Sequence, residues 1–316
     1  PDAGGVVIVT RPPAVSSDAT TDQSQNPPGE SQTFTISLEN LLDAEGVPPL
    51  SHDDSAEARR ELVGRGRNST PSGARKLIDV ALAHPQIKLV VSALGAPPKD
   101  LVDELHARGI LVGSLCGKAE HARAQRAAGV DIIVAQGTEA GGHTGQIATM
   151  VLVPQVVDVA GPDIAVLAAG GISRGRQIAA AFALGAQGVW MGTVWLGTRE
   201  SELTPMEKDV LFRAASEDAV QRKWMTGKSV RMIRSKASEA WEQPGAPKHL
   251  KPPLQNILYH GARIRIEKAH REDLCSFPAG QVVGSMREET TVRQVMQDLM
   301  EEYVMTAERI APLVNL

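Results

Sequence analysis

From about residue 74 to residue 203, short apolar runs and amphipathic stretches alternate with a regular rhythm. Leu77, Ile78, Val80 and Ala81 fall at helical spacing and lead into the run 88–93, whose apolar and β-branched content predicts a strand. Pro97 and Pro98 open a helix carrying Leu101, Val102 and Leu105, and Gly109 marks its end. A strand over 111–115, an Ala-rich helix over 118–128 closed by Gly129, and a strand over 132–135 follow. A helix over 148–159, a strand over 165–169, a helix over 173–184 and a strand over 189–191 complete the series. Near the start, Val6-Val7-Ile8-Val9 is a β-branched run stopped by Pro12 and Pro13, and it too reads as a buried strand.

Strands apolar on both faces, separated by amphipathic helices, predict a parallel sheet covered by helices. An open doubly wound sheet and a (β/α)8 TIM-type barrel both satisfy that pattern. The glycines favour the barrel. Each strand from residue 132 onward runs out in glycine or polar residues: Gln136-Gly137, Gly170-Gly171, Gly192-Thr193. Barrel enzymes gather catalytic and phosphate contacts at the C-terminal strand ends, with phosphate held after strands seven and eight. If the last two runs are strands seven and eight, Val6–Val9 counts back to strand three. The expectation is a barrel whose first two βα units are absent from the chain.

Outside this rhythm the pattern is looser. Residues 15–33 hold almost no large apolar side chains and read as a mobile loop. Leu38, Leu41 and Leu42 resume helical spacing, ahead of a charged stretch over 56–65. The whole connection 15–73 reads as a lid-like insertion, because structureless segments of that length inside a domain are usually functional. Beyond 204 the sequence suggests a helix over 204–216, a short strand over 229–233, a proline-rich connection over 244–253 and a terminal helix over 291–312. The expected organisation is a barrel over 1–203 and a mainly helical appended region over 204–316, packed on it.

Composition narrows the class. The 316 residues suffice for a large core, and 3% aromatic content suits aliphatic barrel strands. A net charge of −4 with no basic stripe excludes a dedicated nucleic-acid binder. Two cysteines, Cys116 and Cys275, make no disulfide framework and fit a reducing cytoplasm. No apolar run reaches membrane-spanning length. His249, His260 and His270 are too scattered to argue as metal ligands, and neither H-E-x-x-H nor C-x-x-C occurs.

The segment richest in chemistry runs from Gln136 to Gly145, with Gly137, Gly141, Gly142 and Gly145 surrounding His143. Glycines at a strand end let a ligand approach the backbone, and histidine is the side chain best matched to proton transfer near neutral pH. The plainer reading is a tight loop with an incidental exposed histidine; the position at a strand end favours function. Gly170-Gly171 and Gly192-Thr193 open strand-to-helix turns in consecutive units and could together bind an anion, although both pairs could merely relieve crowding. No G-x-G-x-x-G follows any strand. Gly227-Lys228-Ser229 mimics the end of a P-loop, but Arg222 stands where its first glycine belongs. Cys116 and Lys118 follow a strand end and are weaker candidates, as is a basic patch over 222–236.

The runs VDIIVAQGTEAGGHTG and VLAAGGISRGRQIAAAFALGAQGVWMGT resemble the nitronate monooxygenase family, formerly called 2-nitropropane dioxygenases. The likeness extends from about residue 74 to the end, including LVVSALGAPPKDLVDELHARGI and Pro278-Ala279-Gly280-Gln281. The resemblance implies an FMN-binding TIM barrel. It implies that His143 is the active-site histidine and that Gln136 and Gly137 contact the flavin ring. Gly170, Gly171, Gly192 and Thr193 would hold the FMN phosphate, and Gly142 would let the backbone pass close to the cofactor. The family's first strand, with its Ala-Pro-Met-type turn, has no counterpart before Val6.

Three functions follow as expectations. The first is FMN-dependent oxidation of alkyl nitronates or nitroalkanes by oxygen, giving a carbonyl compound and nitrite. The second is FMN-dependent reduction of an enoyl thioester, or another activated acyl compound, by NAD(P)H. The third is a truncated, inactive or partner-dependent barrel remnant. A small-molecule substrate is implied by the first two, with neither nucleic acid nor membrane as partner; a homodimer is compatible with all three.

Overall fold

The computed structural model describes residues 5–9, 40–68, 71–93, 95–244 and 246–314. The expected loop over 15–33, and Leu38, lie outside them. Within them, the repeating pattern of the middle of the chain becomes one parallel sheet. Its strands are β1 (Gly5–Val9), β2 (Ile87–Ser92), β3 (Leu111–Cys116), β4 (Ile132–Gln136), β6 (Ala165–Ala169) and β7 (Gly188–Trp190). They neighbour one another in the order β1-β2-β3-β4-β6-β7, every pair parallel. The fold is α/β and of TIM-barrel type, with six such strands among the described residues.

Helices α1 (His52–Asn68) and α2 (Pro71–Leu82) precede β2, and α3 (Lys99–His106) and α4 (Ala119–Ala128) follow β2 and β3 in turn. The charged stretch over 56–65 thus lies within α1. Helices α5 (Thr149–Ala160) and α6 (Gly175–Ala183) make the connections into β6 and β7. Gly129 closes α4 in the left-handed region, at φ +85°, as its position at the end of the Ala-rich run implied. Between sheet and helices lies an aliphatic core containing Val112, Ile133, Leu152, Val156 and Val166, all nearly or completely buried.

A second core gathers residues far apart in the chain. Leu42 and Val47 pack with Leu211, Trp224, Met232, Tyr259, Leu274, Phe277 and Val283. Trp224 and Tyr259 meet edge to face, with centroids 4.7 Å apart, and the indole N–H of Trp224 points at the Met232 sulfur. The elements here are α7 (Thr193–Leu196), α8 (Pro205–Arg213), β8 (Ala219–Arg222), β9 (Val230–Ile233), α9 (Lys236–Ala240) and α10 (Leu254–Lys268), while α11 (Val292–Val314) packs apart from them, on α6. Thr204 and Glu207 form the capping box that starts α8. The strand expected over 229–233 is β9, and it has a partner not read from the sequence, β8. Together with β5 (Gly142–His143) they form a three-stranded antiparallel sheet in the order β5-β9-β8. Among the described residues, no helix is long and apolar enough to cross a membrane, and no cluster of ligating side chains could hold a metal ion. Cys116 and Cys275 are buried free thiols, and burial pushes each up to about 12.

Candidate active site

The C-terminal ends of β4, β6 and β7 lie side by side because Gln136 pairs with Ala169 and Ala169 with Trp190. Parallel register therefore brings the three glycine turns together at one end of the sheet. They border a cavity of about 290 Å³. Gln136, Gly142, Gly170, Gly171, Gly192 and Thr193 all line it. A second cavity of about 580 Å³ shares Glu139, Gly170, Gly171, Ile172 and Val282 with the first. Gly170 and Gly171 have φ of +95° and +71°, a conformation that side-chain-bearing residues rarely adopt. Gly192 has no atom within 4 Å of the place a Cβ would occupy, so its backbone stands open.

Gly137 is placed differently. Its N–H donates to Ala169 O at 2.9 Å, joining the ends of β4 and β6. A Cβ on it would stand 2.0 Å from Thr149 Oγ1, so the turn can close only on glycine. Its place is in the wall, behind the lining.

His143 lies on β5, beside the cavity-lining Gly142, and is held by the small sheet. Gly142 pairs with Arg231 and His143 with Val230. The Nε2 of His143 is 3.1 Å from Thr226 Oγ1 in the turn between β8 and β9. Desolvation of the ring, with a smaller contribution from the Lys228 ammonium, holds its pKa below the ordinary imidazole value. His143 is exposed, and the shift favours its neutral form, the one able to accept a proton. The rest of its loop is tied down by side chains that sequence reasoning missed. Arg231, 8% exposed, donates to Thr138 O at 2.8 Å and to Ala219 O. Gln221 Nε2 donates to Thr144 Oγ1 at 2.7 Å and Thr138 Oγ1 at 3.1 Å. Glu139 accepts from Thr149 N–H and from its hydroxyl at 2.8 Å. These residues are polar positions scattered over some 90 positions of sequence, and only the small sheet gives them a common purpose.

The segment Pro278–Gly280 closes the cavity from the second core. Pro278 and Gly280 line it, and Gly280 N–H donates to Thr193 Oγ1 at 2.8 Å. The basic residues of 222–236 do not form one patch. Arg222 pairs with Glu239, Arg231 is buried, Arg234 donates to Glu217 O, and Lys236 pairs with Asp273. Lys118 sits beside Glu120.

Comparison with known proteins bears on the whole arrangement. The family model for nitronate monooxygenase matches residues 50–302. The chain belongs to the nitronate monooxygenase family. With that family it falls among the oxidoreductases. A Bacillus subtilis protein named as a nitronate monooxygenase is 33% identical over 234 residues, 71% of this chain and 66% of that one. A Mycobacterium tuberculosis protein carrying the name of a monooxygenase is 46% identical over 284 residues, 88% of this chain and 74% of that one. This chain therefore spans about three quarters of the mycobacterial relative, and 57–66% of the bacillar and staphylococcal ones. The nitroalkane oxidase structure from Streptomyces ansochromogenes superposes with a TM-score of 0.74 at 25% identity, covering 96% of this chain and 82% of that one. FabK from Thermotoga maritima superposes with a TM-score of 0.67 at 29% identity, covering 84% and 85%.

Proposed function

We propose that this protein oxidises alkyl nitronates, and the nitroalkanes that give rise to them, with bound FMN and oxygen, yielding a carbonyl compound and nitrite. The observation that carries the reading is the convergence of the three strand-end turns on one cavity, beside a neutral histidine. The residues fit FMN. Gly170, Gly171, Gly192 and the Thr193 hydroxyl offer a glycine-walled recess for a phosphate. Gln136, at the strand end, and Gly142, whose backbone has nothing crowding it, would contact the ring system. Bound there, FMN would accept electrons from the nitronate and pass them to oxygen.

The chain's own part is acid–base work and positioning. His143, neutral and fixed by Thr226, would accept the proton on the carbon bearing the nitro group or donate to the nitro oxygens as charge shifts onto them. Pro278 and Gly280, which line the cavity, would help to exclude water from it. In this reading residues 1–203 hold the cofactor, 204–316 pack over it, and the protein works in the cytoplasm.

The test is a flavin absorption spectrum on protein purified without added FMN, followed by oxygen uptake and nitrite release with an alkyl nitronate. Flavin present with nitrite formed supports the reading; flavin present without nitrite removes it. Rapid anaerobic bleaching by NAD(P)H would favour the reduction of an activated double bond instead. A chain that binds no flavin would favour the partner-dependent remnant.

A further inference from the structure

The terminal helix α11 reaches the flanks of both glycine turns. Glu302 lies on it, against the start of α6, the helix that follows Gly170-Gly171. Its carboxylate accepts from Gly175 N–H at 2.8 Å, from Arg174 Nε and Nη2 at 2.9 Å each, and from Arg176 Nε at 2.5 Å. The side chain is only 12% exposed. Burial by itself would raise its pKa, but the bonds from Arg174, Arg176 and Gly175 bring it down to about 2. Exposed ion pairs contribute little. A shielded carboxylate taking a bidentate arginine and a main-chain donor is a stronger and more directional contact.

The two helices also touch through their backbones. A Cβ on Gly175 would stand 2.3 Å from both Leu299 O and Tyr303 N. Phe182 and Tyr303 stack edge to face farther along, with centroids 5.7 Å apart. From the start of α6 the connection continues into the turn itself. Gln177 Oε1 accepts from Ser173 N–H at 2.8 Å and Arg174 N–H at 3.0 Å, and its Nε2 donates to Gly171 O. Two turns before Glu302, Val295 joins Leu299 in packing on Val194, the neighbour of Thr193.

We propose that Glu302 is a positioning residue for the cofactor phosphate: from α11 it fixes the start of α6, and through Gln177 the Gly170–Gly171 turn, in the shape that receives the anion. Val295 and Leu299 hold the Thr193 turn from the same helix. The proposal rests on the reading that the FMN phosphate sits in this recess, and the two can fail separately.

Titration of FMN and of riboflavin, which lacks the phosphate, into apoprotein separates them. Wild type should bind FMN more tightly than riboflavin; equal affinity would overturn the phosphate reading and this proposal with it. Glu302→Gln, shown folded by an unchanged circular dichroism spectrum, should weaken FMN binding about tenfold while riboflavin affinity stays as it was. Glu302→Asp should recover part of the loss. FMN affinity unchanged or tightened in Glu302→Gln, or a loss shared equally by riboflavin, would overturn the proposal while leaving the phosphate reading intact. Should Glu302→Gln not fold, Val295→Ala trims the contact with Val194 and should narrow the gap between FMN and riboflavin. A gap as wide as in wild type would count against α11 as the positioning element.

Discussion

The two cores of the molecule are built by opposite rules. The parallel-sheet core is aliphatic, with buried Val, Ile, Leu and Ala from runs that recur along the chain. The second core holds Trp224, Trp241, Tyr259 and Phe277, and it draws Leu42 and Val47 together with residues 211–283. Strands in parallel register repeat their geometry, so their ends, and whatever residues terminate them, come together in one place. The second core has no such repeat and must be assembled from distant segments. The first therefore builds the recess, while the second closes it with Pro278–Gly280 and steadies the loop of His143 through β8 and β9. One half supplies a site by repetition; the other supplies its walls by packing.

The sharpest way to break this comparison is at its seam, His143. Replacement by Asn should lower turnover of neutral nitroalkanes by about a hundred- to ten-thousandfold while FMN stays bound. Turnover measured by nitrite release that stays at the wild-type level would remove His143 from the chemistry. Trp224→Ala should cost about 3–5 kcal/mol of stability, read by chemical denaturation, because the indole is fully buried against Tyr259. If the second core only supports the site, flavin per folded molecule should not change in that variant; a fall would show that it does more. Ile133→Ala, at a fully buried position of β4, should cost about 2–5 kcal/mol and should also loosen flavin, since the same strand ends at Gln136. Equal flavin retention in the two variants would erase the distinction between the halves.

The smallest effect concerns pH. The His143 pKa is depressed, first by desolvation and then by Lys228. A base that must be neutral loses activity as pH falls through that depressed value, so the acid limb of the rate profile should lie below 6.5, the group's ordinary value. Lys228→Met removes the second cause and should move that limb upward. A limb that stays put would mean the Lys228 charge does not reach the ring.

Much of the first core was legible because period and punctuation agree. The runs over 88–93, 132–135 and 165–169 are β2, β4 and β6 to within one or two residues. The helix expected over 148–159 is α5, Thr149–Ala160, and the one expected over 291–312 is α11. The small sheet was not legible in full. Its first strand is two residues long and sits inside a glycine loop, while β8 has only four residues, Ala219–Arg222, too few to show an alternation. Of the site, Gln136, Gly170, Gly171, Gly192 and Thr193 could be named from their positions at strand ends, and Gly142 from the resemblance to the family. Arg231, Gln221, Thr226 and Glu302 could not, since a polar residue gives no sign of its partner until the chain is folded.

The sequence by itself determined the parallel α/β architecture and the strand ends at which glycines gather, because backbone periodicity and glycine's freedom are local properties. Tertiary structure alone decided which of those turns share a cavity, that Gly137 serves in the wall, and which nitrogen of His143 meets Thr226. It also decided that a carboxylate near the end of the chain sits at the start of α6. The last two are contacts across 80 to 130 residues; strand register and helix packing create all of them, and no local pattern encodes either.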